Sequence, residues 1–368
     1  MTTKLRLMFV CILIVFSGVL AGYAPSNKQD EKIIWKFSAQ RPIYRVPLIE
    51  DGLVYFGCGD YSGGWKERDG CVYAVEIRTG KEKWSYKVSK PVTSTPVLFK
   101  GMIYFGSLDE HFYALNSKTG ELLWKFKTDD LINSSPAVAE GVVIGCTSKW
   151  IYALDARAGC LKWKFETKGF GTKNFISSSP LVVDKTVYVG ISNSNLCGFD
   201  IFTGKLKWTS KRKYSAEYSC VYPPLVAFKD LIYFTDSKLY LYALDFRTGK
   251  ERWERCAVAS PAVVYDDILY SANFGMFGLI ALDSQTGQKK WKFRTDSPVH
   301  SIAVADEVVY CGTDNGILYA VDAKRGREKW RFSAGSPVSS IAIKDKTLYF
   351  GTWNGYLYAF DIDKERNK

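Results

Sequence analysis

Tyr242-Ala243-Leu244-Asp245-Phe246-Arg247-Thr248-Gly249-Lys250-Glu251-Arg252-Trp253 is one copy of a motif that recurs along almost the whole chain. Its logic is that of a β-hairpin. An apolar strand ends at Asp245, whose carboxylate is placed to bond the backbone two residues on. Gly249 supplies the positive φ that the return strand needs. Trp253 lies on that return strand. In another copy, Leu122-Leu123-Trp124-Lys125-Phe126, aromatic and basic residues alternate with the period of a half-buried strand.

Working outward, the repeated tryptophans are Trp35, Trp84, Trp124, Trp163, Trp208, Trp253, Trp291 and Trp330. The strands before the turns end at Glu76, Asn116, Asp155, Asp200, Asp245, Asp283, Asp322 and Asp361. Successive tryptophans are 49, 40, 39, 45, 45, 38 and 39 residues apart, the period of a propeller with four strands per unit. Each acidic or amide end that is followed by a tryptophan is eight residues from it. One hairpin is therefore held constant while the rest of the unit drifts. In the second unit the pattern predicts strands A to D at Val97–Phe99, Met102–Gly106, Phe112–Asn116 and Leu122–Phe126.

The count closes only if the termini meet. Asp361 has no tryptophan after it, and Trp35 has no hairpin before it. The N-terminal strand is thus expected to supply the outer strand of the last blade. The fold class is all-β: an eight-bladed β-propeller of four-stranded antiparallel blades over residues 33–363, sealed without an open sheet edge. Residues 25–32 read as a linker and 364–368 as a tail.

Residues 1–24 read as a targeting segment. Lys4 and Arg6 precede an apolar run, Leu7 to Leu20, and the small residues Ala21 and Gly22. That order is the order of a secretory signal peptide; an uncleaved N-terminal membrane anchor is the alternative. Eight of the nine cysteines follow this segment, and export would place them in an oxidising compartment. Aligning the units sets Cys58 and Cys71 opposite each other at the neck of the insertion Gly59–Gly70, where a disulfide is expected. There is no Cys-x-x-Cys and no histidine cluster, so a zinc or haem site has no support and no metal is expected.

The full chain carries a net charge of +12. Without residues 1–24, 48 basic and 38 acidic residues leave +10. This excess suits an acidic surface partner, either an envelope protein or an anionic surface polymer. Nucleic acid is not expected for an exported chain with no binding motif for it. The densest basic cluster is Lys205, Lys207, Lys211, Arg212 and Lys213.

In such a meander the D→A and B→C connections share one face, called upper here, and the Thr-Gly turns lie on the lower face. The upper face carries the variation. The spacing from the repeat tryptophan to the start of strand A is 12 in most units but 17, 16 and 8 after Trp163, Trp208 and Trp253. Trp65, Trp150 and Trp353, which stand outside the repeat motif, fall in upper loops with Phe274, Met276 and Phe277. Aromatic residues on variable loops above a rigid ring are the mark of a partner-binding surface. The channel column is mostly small hydroxyls, Ser94, Ser134, Ser178, Ser301 and Ser340 among them; Arg45 and His300 stand out as channel-mouth residues. His111 has no partner identifiable from the sequence. Two histidines and no Ser-His-Asp spacing leave nucleophilic hydrolysis unsupported.

The repeat Tyr-Ala-Leu-Asp-x-x-Thr-Gly-x-x-x-Trp resembles that of pyrroloquinoline-quinone (PQQ) type propellers, over about nine-tenths of the chain. The resemblance implies one of two roles. Quinoprotein alcohol and glucose dehydrogenases are longer and hold PQQ with an adjacent Cys-Cys ring, a calcium site of Glu and Asn, and a catalytic Asp; this sequence has no Cys-Cys dipeptide. BamB-like proteins of the outer-membrane β-barrel assembly machinery are eight-bladed, of similar length, exported and non-enzymatic. The expectation is a non-catalytic, exported protein-binding scaffold, without a cofactor. Its membrane association would run through the N-terminal segment, since no convincing lipid-attachment cysteine follows the signal. The alternatives are a PQQ-dependent dehydrogenase and a polysaccharide-binding, cell-wall-binding or sensor module.

Overall fold

The structure, a computed structural model, describes residues 32–60, 69–167, 178–191, 195–210, 220–256, 258–273 and 277–363. Within them the chain forms eight four-stranded antiparallel sheets. Blade 1 comprises Leu48–Glu50, Leu53–Cys58, Gly70–Glu76 and Glu82–Val88 as strands A to D. Blade 2 comprises Val97–Phe99, Met102–Gly106, His111–Asn116 and Leu122–Lys127, within a residue of the expected bounds. Blades 3 to 7 repeat the order. In blade 8, strands Val338–Lys344, Thr347–Thr352 and Tyr356–Asp361 are completed by Ile33–Ser38. That last pairing is antiparallel, with Trp35 opposite Ala359 and Phe37 opposite Leu357. The A strands of successive blades touch in an unbroken circle, blade 8 against blade 1 included, and surround the central channel.

What joins blade to blade is the motif itself. Each D-strand tryptophan from Trp35 to Trp291 lies on the turn glycine of the following blade. A Cβ added to Gly120 would sit 2.7 Å from the Trp84 ring, and one added to Gly159 would sit 2.5 Å from that of Trp124. The indole N–H then donates to a backbone carbonyl beside that turn: Trp84 Nε1 to Ser117 O at 2.8 Å, Trp163 Nε1 to Ile201 O at 2.8 Å, Trp291 Nε1 to Ala323 O at 2.8 Å. In several blades a strand B tyrosine donates to the same oxygen, as Tyr55 Oη does to Ser117 O at 3.2 Å. The glycine is thus required twice, for its φ of +76° at Gly120 and for the close approach of a ring. Buried aliphatic and aromatic residues of B and C strands fill the space between sheets, for example Ile103, Phe105 and Leu115 against Val72 and Ala74.

Candidate functional site

The inner ends of the A strands are tied by hydroxyls. Ser94 Oγ donates to Gly106 O at 2.8 Å and accepts from Gly106 N at 3.0 Å. Ser134 does the same with Cys146, and Ser178 with Gly190. Each serine stands in for a strand partner where the sheets converge too closely for full pairing. A second set of bonds runs from blade to blade across blades 1 to 4. Arg45 Nε donates to Thr93 O at 2.8 Å, Thr95 N to Ser135 Oγ at 2.8 Å, and Ser135 N to Ser179 Oγ at 3.0 Å. Ser94, Ser134 and Ser178 thus perform the backbone role expected of the column; Ser301 Oγ instead donates to Val338 O of the next blade at 3.4 Å, and the buried Ser340 Oγ has no hydrogen-bond partner among the described residues.

Above these bonds the channel opens into an upper funnel of about 630 Å³, whose wall includes Tyr44, Arg45, Ser135, Ser179, His300 and Trp353. Trp353 is 42% exposed. Its ring is 5.7 Å from that of His300 and 6.3 Å, edge-on, from that of Tyr44. His300 Nε2 is hydrogen-bonded to the Asp314 carboxylate. One guanidinium, one imidazole–carboxylate pair and two aromatic rings thus crowd one side of the mouth, facing a wall of prolines and hydroxyls. The sequence marks Arg45 and His300 together as channel-mouth residues and Trp353 as an upper-loop aromatic. Tyr44 and Asp314 were not marked as their neighbours: Tyr44 meets Trp353 because ring closure brings blade 1 beside blade 8, and Asp314 meets His300 across the A–B pairing inside blade 7.

The other expected contact residues are scattered. Trp150 is the first residue of strand C of blade 3 rather than a loop residue; it is half-buried, with Lys164 Nζ 4.3 Å from its ring centroid. The indole folds back because strand D continues to Glu166, directly opposite it. Phe277 is exposed on the upper face of blade 6. Trp65, Phe274, Met276, Lys211, Arg212 and Lys213 lie outside the described residues. His111 does have a partner: its Nδ1 bonds Asp109 O at 2.8 Å within its own loop.

Cys58 and Cys71 are register partners at the neck of the insertion; both are buried and both are thiols here. Burial pushes the Cys58 thiol up to about 12. The neck is also clasped from outside. Arg41 Nη2 lies 2.6 Å from Asp69 Oδ1, and this bond holds the Asp69 carboxyl below its ordinary range.

Among the described residues no group of three or more His, Cys, Asp or Glu side chains could hold a metal ion. Calcium takes six to eight oxygen ligands; among the described residues the funnel wall carries hydroxyls and no carboxylate, and Asp314 beside it is bonded to His300. The described residues of the funnel do not fit a calcium-bound quinone.

The fold and funnel define an eight-bladed propeller of the PQQ-like class. The family model described as outer membrane protein assembly factor BamB matches residues 130–263 and 257–366, and the chain belongs to that family. No curated protein matches the chain in sequence. Among solved structures it is similar to BamB from Moraxella catarrhalis, at 16% identity and a TM-score of 0.74, covering 89% of this chain and 99% of that one. It is equally similar to the computationally designed Ika8 protein, at 17% identity and a TM-score of 0.75, covering 90% and 100%. Quinohemoprotein alcohol dehydrogenase from Comamonas testosteroni matches at 17% identity and a TM-score of 0.73, covering 91% of this chain and 77% of that one. Identities this low speak for the fold alone.

Proposed function

We propose that the protein is an exported, non-catalytic scaffold that binds an envelope protein through its upper face. The observation that carries this reading is the exposed Trp353 held against His300 and Tyr44 at the funnel mouth. Inner strands hydrogen-bonded from blade to blade hold that surface already ordered, so little conformational entropy is lost on contact. Membership of the BamB family and the excess of basic residues support a protein partner with an acidic surface. A second reading, a polysaccharide-binding module, is favoured by the same aromatic platform beside hydroxyls. A third, PQQ-dependent oxidation, is disfavoured by the missing ligand set.

The test is capture from a detergent-solubilised envelope with wild type and Trp353→Ala. The scaffold reading expects a barrel protein to be retained by wild type, with retention at least about tenfold weaker for the variant. Retention on isolated wall polymer instead would favour the second reading. A co-purifying quinone absorbance, or dye-linked alcohol oxidation after adding PQQ and calcium, would sink the scaffold.

A further inference from the structure

The lower face carries a site of a different kind. In blades 3 to 6 the turn aspartate is paired with the cation just before the repeat tryptophan: Lys162–Asp155 at 3.0 Å, Lys207–Asp200 at 3.5 Å, Arg252–Asp245 at 3.8 Å and Lys290–Asp283 at 3.5 Å. That cation is the bulged residue of strand D, left without a register partner. A basic residue on a bulge is a common guard for an exposed sheet edge. Blade 2 has lost both partners: Asn116 stands for the aspartate, and the bulged residue is Leu123, which is 47% exposed.

A groove of about 870 Å³ opens there, between the lower turns of blades 2 and 3. It is within the range of small-molecule sites. Phe99, Met102 and Leu123 give it apolar walls, and Lys100, Lys118 and Arg157 line it as cations. Lys100 occupies a turn position that is acidic in six of the other seven blades (Asp51, Glu140, Asp184, Asp266, Asp306 and Asp345). Its Nζ lies 5.3 Å from the Phe99 ring centroid. The one carboxylate in the groove, Asp155, already accepts from the backbone of Arg157 and Ala158 and pairs with Lys162. Lys100, Lys118 and Arg157 make no ion pair among the described residues.

We propose that this groove binds a single-chain anionic amphiphile. Its hydrocarbon lies on Phe99, Met102 and Leu123, and its carboxylate or phosphate head lies among Lys100, Lys118 and Arg157. Charge complementarity selects the head, since three unpaired cations face one occupied acid. The apolar walls select a chain over a bare anion. The site is on the face opposite the funnel and stands independently of the scaffold reading.

The test is titration calorimetry of the full protein with laurate below its micellar concentration. Wild type is expected to bind one laurate. Asn116→Asp with Leu123→Lys restores the pair that blades 3 to 6 carry, so the fold is retained; circular dichroism and the melting midpoint verify this. That double variant, and Lys118→Ala with Arg157→Ala, are each expected to bind at least tenfold more weakly. Equal laurate affinity in the restored-pair variant would overturn the proposal. So would equal affinity of wild type for dodecyltrimethylammonium, or binding only to phosphatidylglycerol vesicles with none to monomeric laurate.

Discussion

Gly120 shows at one residue how the sequence motif becomes structure. Its φ of +76° is in the left-handed region, and a methyl group there would meet the Trp84 ring at 2.7 Å. Gly120→Ala is therefore expected to destabilise by more than the roughly 1–2 kcal/mol of the backbone strain alone. Gly101→Ala is the control, with a φ of +77° but no neighbour within 4 Å of its Cβ. Urea unfolding of the pair separates strain from contact, and equal losses would mean that the Trp84 ring simply moves aside. The sequence disclosed Gly120 and its counterparts in the other Thr-Gly turns as turn residues. Their second role was not legible, because it depends on a tryptophan about 36 residues earlier in the chain coming to rest on the turn. The same holds for Cys58 and Cys71, whose opposition followed from aligning hairpins, while their burial did not. Direct opposition in an antiparallel pair suits disulfide geometry. We expect protein folded in an oxidising compartment to carry this bond, so unreduced mature protein should be two mass units lighter over this pair, and Cys71→Ser should abolish the difference. Reduced native protein should keep Cys58 silent to thiol reagents at neutral pH, because burial holds its thiol near 12.

The C–D hairpin is the element that the chain repeats most faithfully, and its turn carboxylates make it pH-sensitive. Asp155 accepts from the Ala158 amide at 2.9 Å and the Arg157 amide at 3.0 Å and pairs with Lys162. The Ala158 bond and then the lysine hold its carboxyl below the ordinary range. Asp200, Asp245 and Asp283 are also held low: burial works against them, but the threonine and backbone bonds of their turns outweigh it. A carboxylate whose folded pKa is depressed contributes stability that is fully present above its unfolded value, about 4. That contribution is lost as pH falls through the folded value. Thermal midpoints should therefore change little in this respect between pH 5 and 7 and fall below about pH 4. Blade 2 supplies the control within the molecule, since Asn116 Oδ1 accepts from Lys118 N at 2.9 Å and Thr119 N at 3.1 Å with no charge to titrate. Asparagine at positions 155, 200, 245 and 283 together should flatten the acid limb while keeping the hairpins; an unchanged limb would assign acid sensitivity elsewhere. The hairpins were readable because turn chemistry is local. The whole funnel cluster was not, because Tyr44 comes from the other end of the sequence and meets Trp353 only when the ring shuts.

At the scale of the molecule the question is what closure adds to eight similar blades. An open array of repeats frays from its ends, and each interface then counts only with its neighbours. A ring has no ends to fray, so its seam should matter as much as any internal junction. The seam here is made by the first described strand: Ile33–Ser38 covers the edge of blade 8, and Trp35, 8% exposed, donates its indole N–H to Ile77 O of blade 1 at 2.9 Å. Trp84, also 8% exposed, makes the equivalent bond between blades 1 and 2. Trp35→Ala and Trp84→Ala should then destabilise alike, each by roughly 3–5 kcal/mol as expected for a buried tryptophan. Both variants should unfold in urea as one transition followed equally by fluorescence and circular dichroism. If Trp35→Ala were nearly neutral while Trp84→Ala was not, the seam would be opening in solution. The N-terminal strand would then be a latch rather than a structural member, and Tyr44 would leave the funnel mouth with it, because its contact with Trp353 is the one made across that seam.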